Sequence, residues 1–198
     1  MIIFNKIEKT EPYTKLYEYY LTALEAGQEN IEAILIASYS IKSKEVDSRY
    51  VNLKIIKNDK FIFFSNYNSL KAADFNDHSQ ISSVLYWPKI NIQIRMKSNI
   101  SKVSKAFSDK YFLNRDVEKN ALAISSNQSK TIKSYDQVVE NYNRTLKNDA
   151  LDRRPDYWGG YSFTPYYFEF WEGQRSRLNK RDVYKKNSDN WKHCILQP

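Results

Sequence analysis

Histidine, cysteine and glycine are nearly missing from this 198-residue chain, which holds 2 His, 1 Cys and 4 Gly. With only His78 and His193 available, a histidine-based catalytic triad or a His-rich metal centre has little to draw on. One cysteine, Cys194, excludes an internal disulfide and fits a reducing cytoplasm. Within "WKHCIL" it reads as a small buried hydrophobe, not a nucleophile. Scarce Gly, with 5 Pro, excludes collagen-like and low-complexity structure. No apolar run approaches the roughly 18 residues of a membrane span. The start "MIIFNKIEKTEPY" lacks the apolar core and cleavage site of a secretory leader. P-loop, GxGxxG, HExxH and nucleophile-elbow motifs are absent as well. The expectation is a cytoplasmic protein. If it is an enzyme, its difficult chemistry belongs to a bound cofactor.

What the chain does hold is aromatic and basic. Aromatics make up 15% and apolar residues 41%, enough for one packed domain over 1–198. The net charge is +8, so polyanions such as nucleic acid, anionic lipid and phosphorylated small molecules are admissible partners. The lysines are spread along the chain as on an ordinary solvated surface, and neither nucleic acid nor membrane is expected as a partner. "EPYTKLYEYYLTALEAG" predicts a helix over about 12–27, with Pro12 at its start, Leu16, Tyr20, Ala23 and Leu24 on one face, and Gly27 as the stop. "AILIASYS", "SRYVNLKII", "KFIFFS", "ISSVLYW", "NIQIRMKSNISKVS", "YSF", "YYFEFWEG", "RDVYKK" and "WKHCIL" have strand character. "NSLKAADFND", "KAFSDKYFLNR" and "SYDQVVENYNRTLKN" have helical spacing, the last with Ser134 as a cap. The fold class is mainly β with α additions, a barrel or sandwich, antiparallel because several connections are too short for a crossover.

Basic residues near strand ends are the candidates for binding. In "RSRLNKR", Arg175, Arg177, Asn179 and Arg181 alternate, so an extended segment turns them to one face, suited to a planar or phosphorylated anion. A charged, solvated edge strand explains the same pattern. Arg49 and Lys54 lie at two ends of "SRYVNLK" with an odd spacing that puts them on opposite faces of a regular strand. One anion then meets both only at an edge, a bulge or a subunit interface. Tyr111 and Arg115 fall four apart in "YFLNR", on one helical face. "NQS", residues 127–129, is a polar cluster in a loop.

Taken in order, "SRYVNLK", "FIFFSNYNSLKA", "LYWPKINIQIR", "YFLNR", "SSNQS", "RPDYWGGY", "FEFWEGQRSRL" and the terminal "LQP" resemble the pyridoxamine 5′-phosphate oxidase family over about residues 11–198. The resemblance implies an FMN-binding split β-barrel that forms a homodimer with FMN in clefts at the interface. It further implies flavin contacts at Arg49, Lys54, Phe64, Ser65, Lys71, Gln93, Gln128, Ser129, Trp171 and Arg181. The substrate phosphate falls to Lys54, Tyr111, Arg115 and, in place of a serine, Lys119; Arg177 and Asn179 take the catalytic positions, and the C-terminal region, about 154–198, contributes dimer and substrate contacts. The implied reaction converts pyridoxine or pyridoxamine 5′-phosphate to pyridoxal 5′-phosphate. A hydride passes from the substrate C4′ to the flavin N5, and O2 reoxidises the flavin to give H2O2. The aromatics and glycines of residues 154–181 are then expected to shape the flavin wall.

The chain departs from the family pattern in several places, among them Lys180 for an acid, "ALAISSNQS" for a string containing Gly and Trp, and an end, "ILQP", without the usual arginine. "RLNKR" stands for "RLHDR", so Asn179 replaces a histidine; Lys119 replaces a serine; and Leu70 replaces a basic residue. An asparagine hydrogen-bonds but does not titrate near neutrality as histidine does. The alternatives are an FMN oxidase of another aromatic substrate, such as a phenazine precursor, or a non-catalytic flavin or B6-phosphate binder.

Overall fold

The computed structural model describes residues 1–198. One sheet contains ten strands: β1 (Ile3–Asn5), β2 (Ala33–Ser40), β3 (Glu45–Asn52), β4 (Ile55–Lys57), β5 (Lys60–Asn66), β6 (Gln80–Trp87), β7 (Ile92–Lys102), β8 (Trp158–Glu172), β9 (Lys180–Asn187) and β10 (Asn190–Ile195). Five α-helices accompany it: α1 (Glu11–Glu25), α2 (Leu70–Asp77), α3 (Lys105–Leu113), α4 (Val117–Ser125) and α5 (Tyr135–Asn148). Strand order is β1-β4-β5-β8-β7-β6-β2-β3, with β9 and β10 branching from β8. Every pairing is antiparallel except β1 with β4. The mainly-β expectation holds. No helix is long and apolar enough to cross a membrane.

The fork at β8 has a local cause. "YSF" and "YYFEFWEG" form one 15-residue strand, not two. Pro165 within it sits at the register shift between Lys97 and Ser98, where a residue without an N–H is tolerated. The first half, Trp158–Phe163, pairs with β5, and the second, Tyr167–Glu172, pairs with β9. Alternate residues point inward, and Phe61, Phe63, Tyr161, Phe163, Phe168 and Phe170 make an aromatic core under α1. Each such ring, fully buried, contributes about 1.5–3 kcal/mol.

Several elements differ from the sequence expectation. In α1 the buried stripe is Tyr13, Leu16, Tyr20 and Ala23, whereas Leu24 is exposed at its rim. "SRYVNLKII" is broken into β3 and β4, because Leu53 N–H turns to the Glu32 carbonyl and Lys54 N–H to the Ile62 carbonyl. In "RSRLNKR" only Lys180 and Arg181 are extended, as the start of β9; residues 175–179 are not. Arg177 N–H donates to the Gln174 carbonyl in a turn, so the alternation of Arg175, Arg177, Asn179 and Arg181 puts no common face on a strand. Helix α4 was not anticipated: its buried residues, Asn120, Ala121 and Ala123, are too small and polar to give an apolar stripe.

Candidate active site

A cleft of about 450 Å³ opens beside the break between β3 and β4. Arg49 reaches it from β3, Lys54 from the break, and Phe64 and Ser65 from β5. Lys71 enters from the first turn of α2, Tyr111 from the last turn of α3, and Arg115 from just beyond that helix. Gln128 and Ser129 close it from the loop between α4 and α5. The break resolves the odd spacing of Arg49 and Lys54: Lys54 has left the pleat, so both side chains line one cavity.

The cationic groups are held in different ways. Arg49 donates to Ser38 Oγ at 2.7 Å and pairs with Asp47 Oδ2 at 2.6 Å. Ser38 in turn donates to the buried Asp74 at 2.7 Å, which fixes its lone pairs towards Arg49. The hydrogen bond from Arg49 holds the Asp47 carboxyl below its ordinary range. Lys71 is buried with Ser69 Oγ, 3.0 Å away, as its hydrogen-bond partner. Burial and the nearby Arg49 charge push its pKa down to about 8. Lys54 lies 3.7 Å from Glu32. Burial lowers Arg115 and raises Tyr111. A cavity lined by this many cations calls for an anion.

The floor of the cleft is an aromatic stack. Phe64 and Tyr111 are parallel with centroids 3.6 Å apart, Trp158 stacks on Phe64 at 5.3 Å, and the Arg115 guanidinium lies 4.7 Å over Trp158. Gln128 Oε1 accepts from Ser65 Oγ at 3.5 Å and from Asn66 N–H at 3.4 Å, which ties the loop to β5. The glycines expected in a flavin wall provide close packing behind the cleft. A Cβ at Gly159 would strike Tyr67 and Ser108, so that glycine lets α3 and the β5–α2 loop approach β8, and one at Gly160 would come within 2.7 Å of Val103 and 3.0 Å of Phe64, so that glycine admits the segment before α3 and β5.

The remaining expected residues do not line this cleft. Gln93, Trp171 and Arg181 are partners across β7, β8 and β9, forming one row. Arg181 donates to Glu169 Oε1 through Nε at 2.9 Å and Nη2 at 2.8 Å, and to the Gln197 carbonyl through Nη1. Arg95 and Tyr167 also donate to Glu169, each at 2.9 Å. Burial alone would raise the Glu169 carboxyl, but these donors hold it below its usual range. Asn179 Oδ1 accepts from Gln174 N–H at 3.0 Å, closing the turn that presents Arg177, whose φ is 62°. Lys119 is exposed and ion-paired with Asp116. Trp158, one of the aromatics expected in a flavin wall, does line the cleft; residues missed from sequence include Asp47 in the lining and the Ser38–Asp74 support. Asp47 lies two residues before Arg49 on the same strand face, which was a readable signal; Ser38 and Asp74 come from other elements and left none.

Residues 158–198 match the family model described as the pyridoxine 5′-phosphate oxidase C-terminal dimerisation region. The chain is 32% identical to pyridoxine/pyridoxamine 5′-phosphate oxidase 1 of Hydrogenovibrio crunogenus, covering 96% of this chain and 89% of that one. It is 36% identical to the pyridoxine/pyridoxamine 5′-phosphate oxidase of Cytophaga hutchinsonii, covering 84% and 79%. The chain belongs to the pyridoxine/pyridoxamine 5′-phosphate oxidase family. As a member it is an FMN-dependent oxidoreductase. Its fold superposes on PhzG of Burkholderia lata, crystallised with tetrahydrophenazine-1-carboxylic acid, with a TM-score of 0.88 at 25% identity and coverage of 95% and 93%. An FMN-binding protein of Nostoc punctiforme, related to pyridoxamine 5′-phosphate oxidase, shares the fold with a TM-score of 0.80 at 11% identity, covering 96% and 99%. The pyridoxine/pyridoxamine 5′-phosphate oxidase family's flavin suits the cleft: a buried ammonium without a bonded carboxylate, a guanidinium and amide and hydroxyl groups meet an aromatic stack.

Proposed function

We propose that this chain is a homodimeric oxidase of pyridoxine or pyridoxamine 5′-phosphate, producing pyridoxal 5′-phosphate. The observation that carries the reading is the convergence of Arg49, Lys71, Lys54, Tyr111 and Arg115 on one cleft. Two phosphate-bearing molecules need that many cations and donors, and Arg49 with Lys71 is set apart from Lys54, Tyr111 and Arg115 by its own support from Ser38 and Ser69. Arg49 and Lys71 hold the flavin phosphate, and Ser65, Gln128 and Ser129 hydrogen-bond the rest of the cofactor. Lys54, Tyr111 and Arg115 hold the substrate phosphate. FMN held there would supply a hydride acceptor for the substrate carbon, with the proton leaving the alcohol or amine, water hydrolysing the imine formed from the amine to release ammonia, and O2 taking the electrons to give H2O2. The chain's part is positioning: fixed cations orient two rings against each other so that donor carbon and acceptor meet.

Gln93, Trp171 and Arg181 are proposed to complete the partner subunit's cleft, with Arg177 brought over the substrate ring from the same side. Support comes from the match of residues 158–198 to a dimerisation region and from the row these three side chains form away from their own cleft. A cytoplasmic location accords with the single thiol.

The test is anaerobic mixing of FMN-loaded protein with each B6 ester while the flavin absorbance is followed. Bleaching, with recovery on admitting oxygen, is the expected result; stable colour with both esters overturns the substrate assignment. A second reading, oxidation of a different aromatic, is favoured by Asn179, whose carbonyl oxygen is already engaged by Gln174. Bleaching by a dihydroaromatic carboxylic acid, and not by the esters, would select it.

A further inference from the structure

Beside the N-terminal half of α3 lies a second pocket of about 370 Å³ that shares no lining residue with the cleft. Its walls are the turn between β4 and β5, with Lys57 and Lys60, the end of β7, with Ser101 and Lys102, and Ser104 at the start of α3. Ser162 of β8 forms its base. No carboxylate lines it. None of Lys57, Lys60 and Lys102 has an ion-pair partner within 4.0 Å in the chain, and Lys102 rests 4.5 Å over the Tyr67 ring. Three uncompensated ammonium groups around one cavity repel one another and gain from any anion placed between them.

Two further features point to a ligand rather than to a solvated basic face. Helix α3 is nine residues long and is capped by Ser104 Oγ, which accepts from Phe107 N–H at 3.3 Å. That leaves the first-turn N–H groups of Lys105 and Ala106 without intrahelical acceptors, at the positive end of the helix dipole. Ser162 is only 7% exposed, and its hydroxyl makes no hydrogen bond within the chain. Its oxygen opens to the pocket and is free to bond a ligand there. Ammonium groups, free helix N–H groups and a free hydroxyl together match the several acceptor oxygens of a phosphate dianion.

We propose that this pocket is a second anion site that binds a phosphate group, free or carried on a small ester. Its volume admits one ring-sized substituent. Phe107, which walls the pocket, stacks 6.4 Å from Phe64 of the cleft, so the two sites lie on either side of one aromatic layer.

The experiment is an NMR titration of the full-length protein with inorganic phosphate, following the amides of Lys105 and Ala106, with sodium chloride at matched ionic strength as control. Saturable shifts with phosphate alone are expected. Ser162→Ala weakens the apparent affinity about fivefold, the loss of one hydrogen bond, and Lys57→Ala with Lys102→Ala removes saturation. Arg115→Ala, which disables only the cleft, leaves these two amides responding as before. Repeating the titration with ribose 5-phosphate separates the sources: tighter binding than inorganic phosphate identifies an ester, and equal binding identifies free phosphate. Shifts that drift without saturation, match the chloride control, or persist unchanged in the double lysine variant overturn the proposal. Because the reporting amides lie outside the cleft, the result is independent of the oxidase reading.

Discussion

The ammonium of Lys71 is buried beside Arg49, bonded to Ser69 Oγ and to no carboxylate, and is pushed down to about 8. The depressed value makes the folded chain bind fewer protons than the unfolded one between about pH 8 and pH 10.5. This residue's contribution to stability therefore rises with pH across that window, whereas a phosphate bound beside it needs the proton back. FMN affinity is expected to fall as pH rises through about 8, read by flavin fluorescence quenching. Lys71→Met should weaken FMN by about tenfold to a hundredfold at neutral pH, the loss of a charge-assisted bond, and remove this pH dependence. At Arg177 the backbone is left-handed, φ 62°, which costs a residue with a Cβ about 1 kcal/mol. Arg177→Gly separates backbone from guanidinium: urea unfolding should show stability kept within about 1 kcal/mol, with FMN still bound and substrate reduction lost.

At the scale of elements, the cleft depends on how closely α3 approaches β8. Gly160 N–H donates to Ser108 Oγ at 3.1 Å, and Tyr67 donates its hydroxyl to the Gly160 carbonyl at 3.1 Å. A methyl group at Gly160 would meet Val103 at 2.7 Å and Phe64 at 3.0 Å. Gly160→Ala should cost about 1–3 kcal/mol in chemical denaturation, as overpacking does. It should also weaken substrate more than an equally destabilising change in α5, because the added methyl presses on Phe64 of β5, which stacks on Tyr111 in the cleft. "WGGY" was legible as a motif, but its physical role was not: the need for bare backbone appears only where a helix from another part of the chain lies against the strand.

For the whole molecule, the expected site residues fall into two sets that one chain does not bring together. Arg181 is anchored by Glu169 at 2.8 and 2.9 Å, in a row with Trp171 and Gln93, and none of these lines the cleft that holds Arg49. If two chains share each site, Arg49→Ala and Arg181→Ala variants, each inactive alone, should complement when unfolded and refolded together. Random pairing of equal amounts gives half heterodimers, each with one intact site of two, so activity should return to about a quarter of the wild-type level. A site confined to one chain would restore nothing.

Alternation and helical spacing in the amino-acid sequence determined most strands, though not β1, the break between β3 and β4 or the continuity of β8, and the helices α1, α2, α3 and α5, because burial of one face is a local, periodic property. The ordered motifs determined the family and named Arg49, Lys54, Lys71, Tyr111 and Arg115, which line one cleft. Tertiary structure alone decided that Lys54 leaves the pleat to join Arg49, that Ser38 and Asp74 support that arginine, and that "RSRLN" is a turn closed by Asn179. It also decided that Arg181 answers to Glu169 and not to the cleft of its own chain. The physical reason is common to these cases. A carbonyl, carboxylate or hydroxyl from a distant segment sets the direction of a polar side chain, and no periodicity along the chain records where that partner will be.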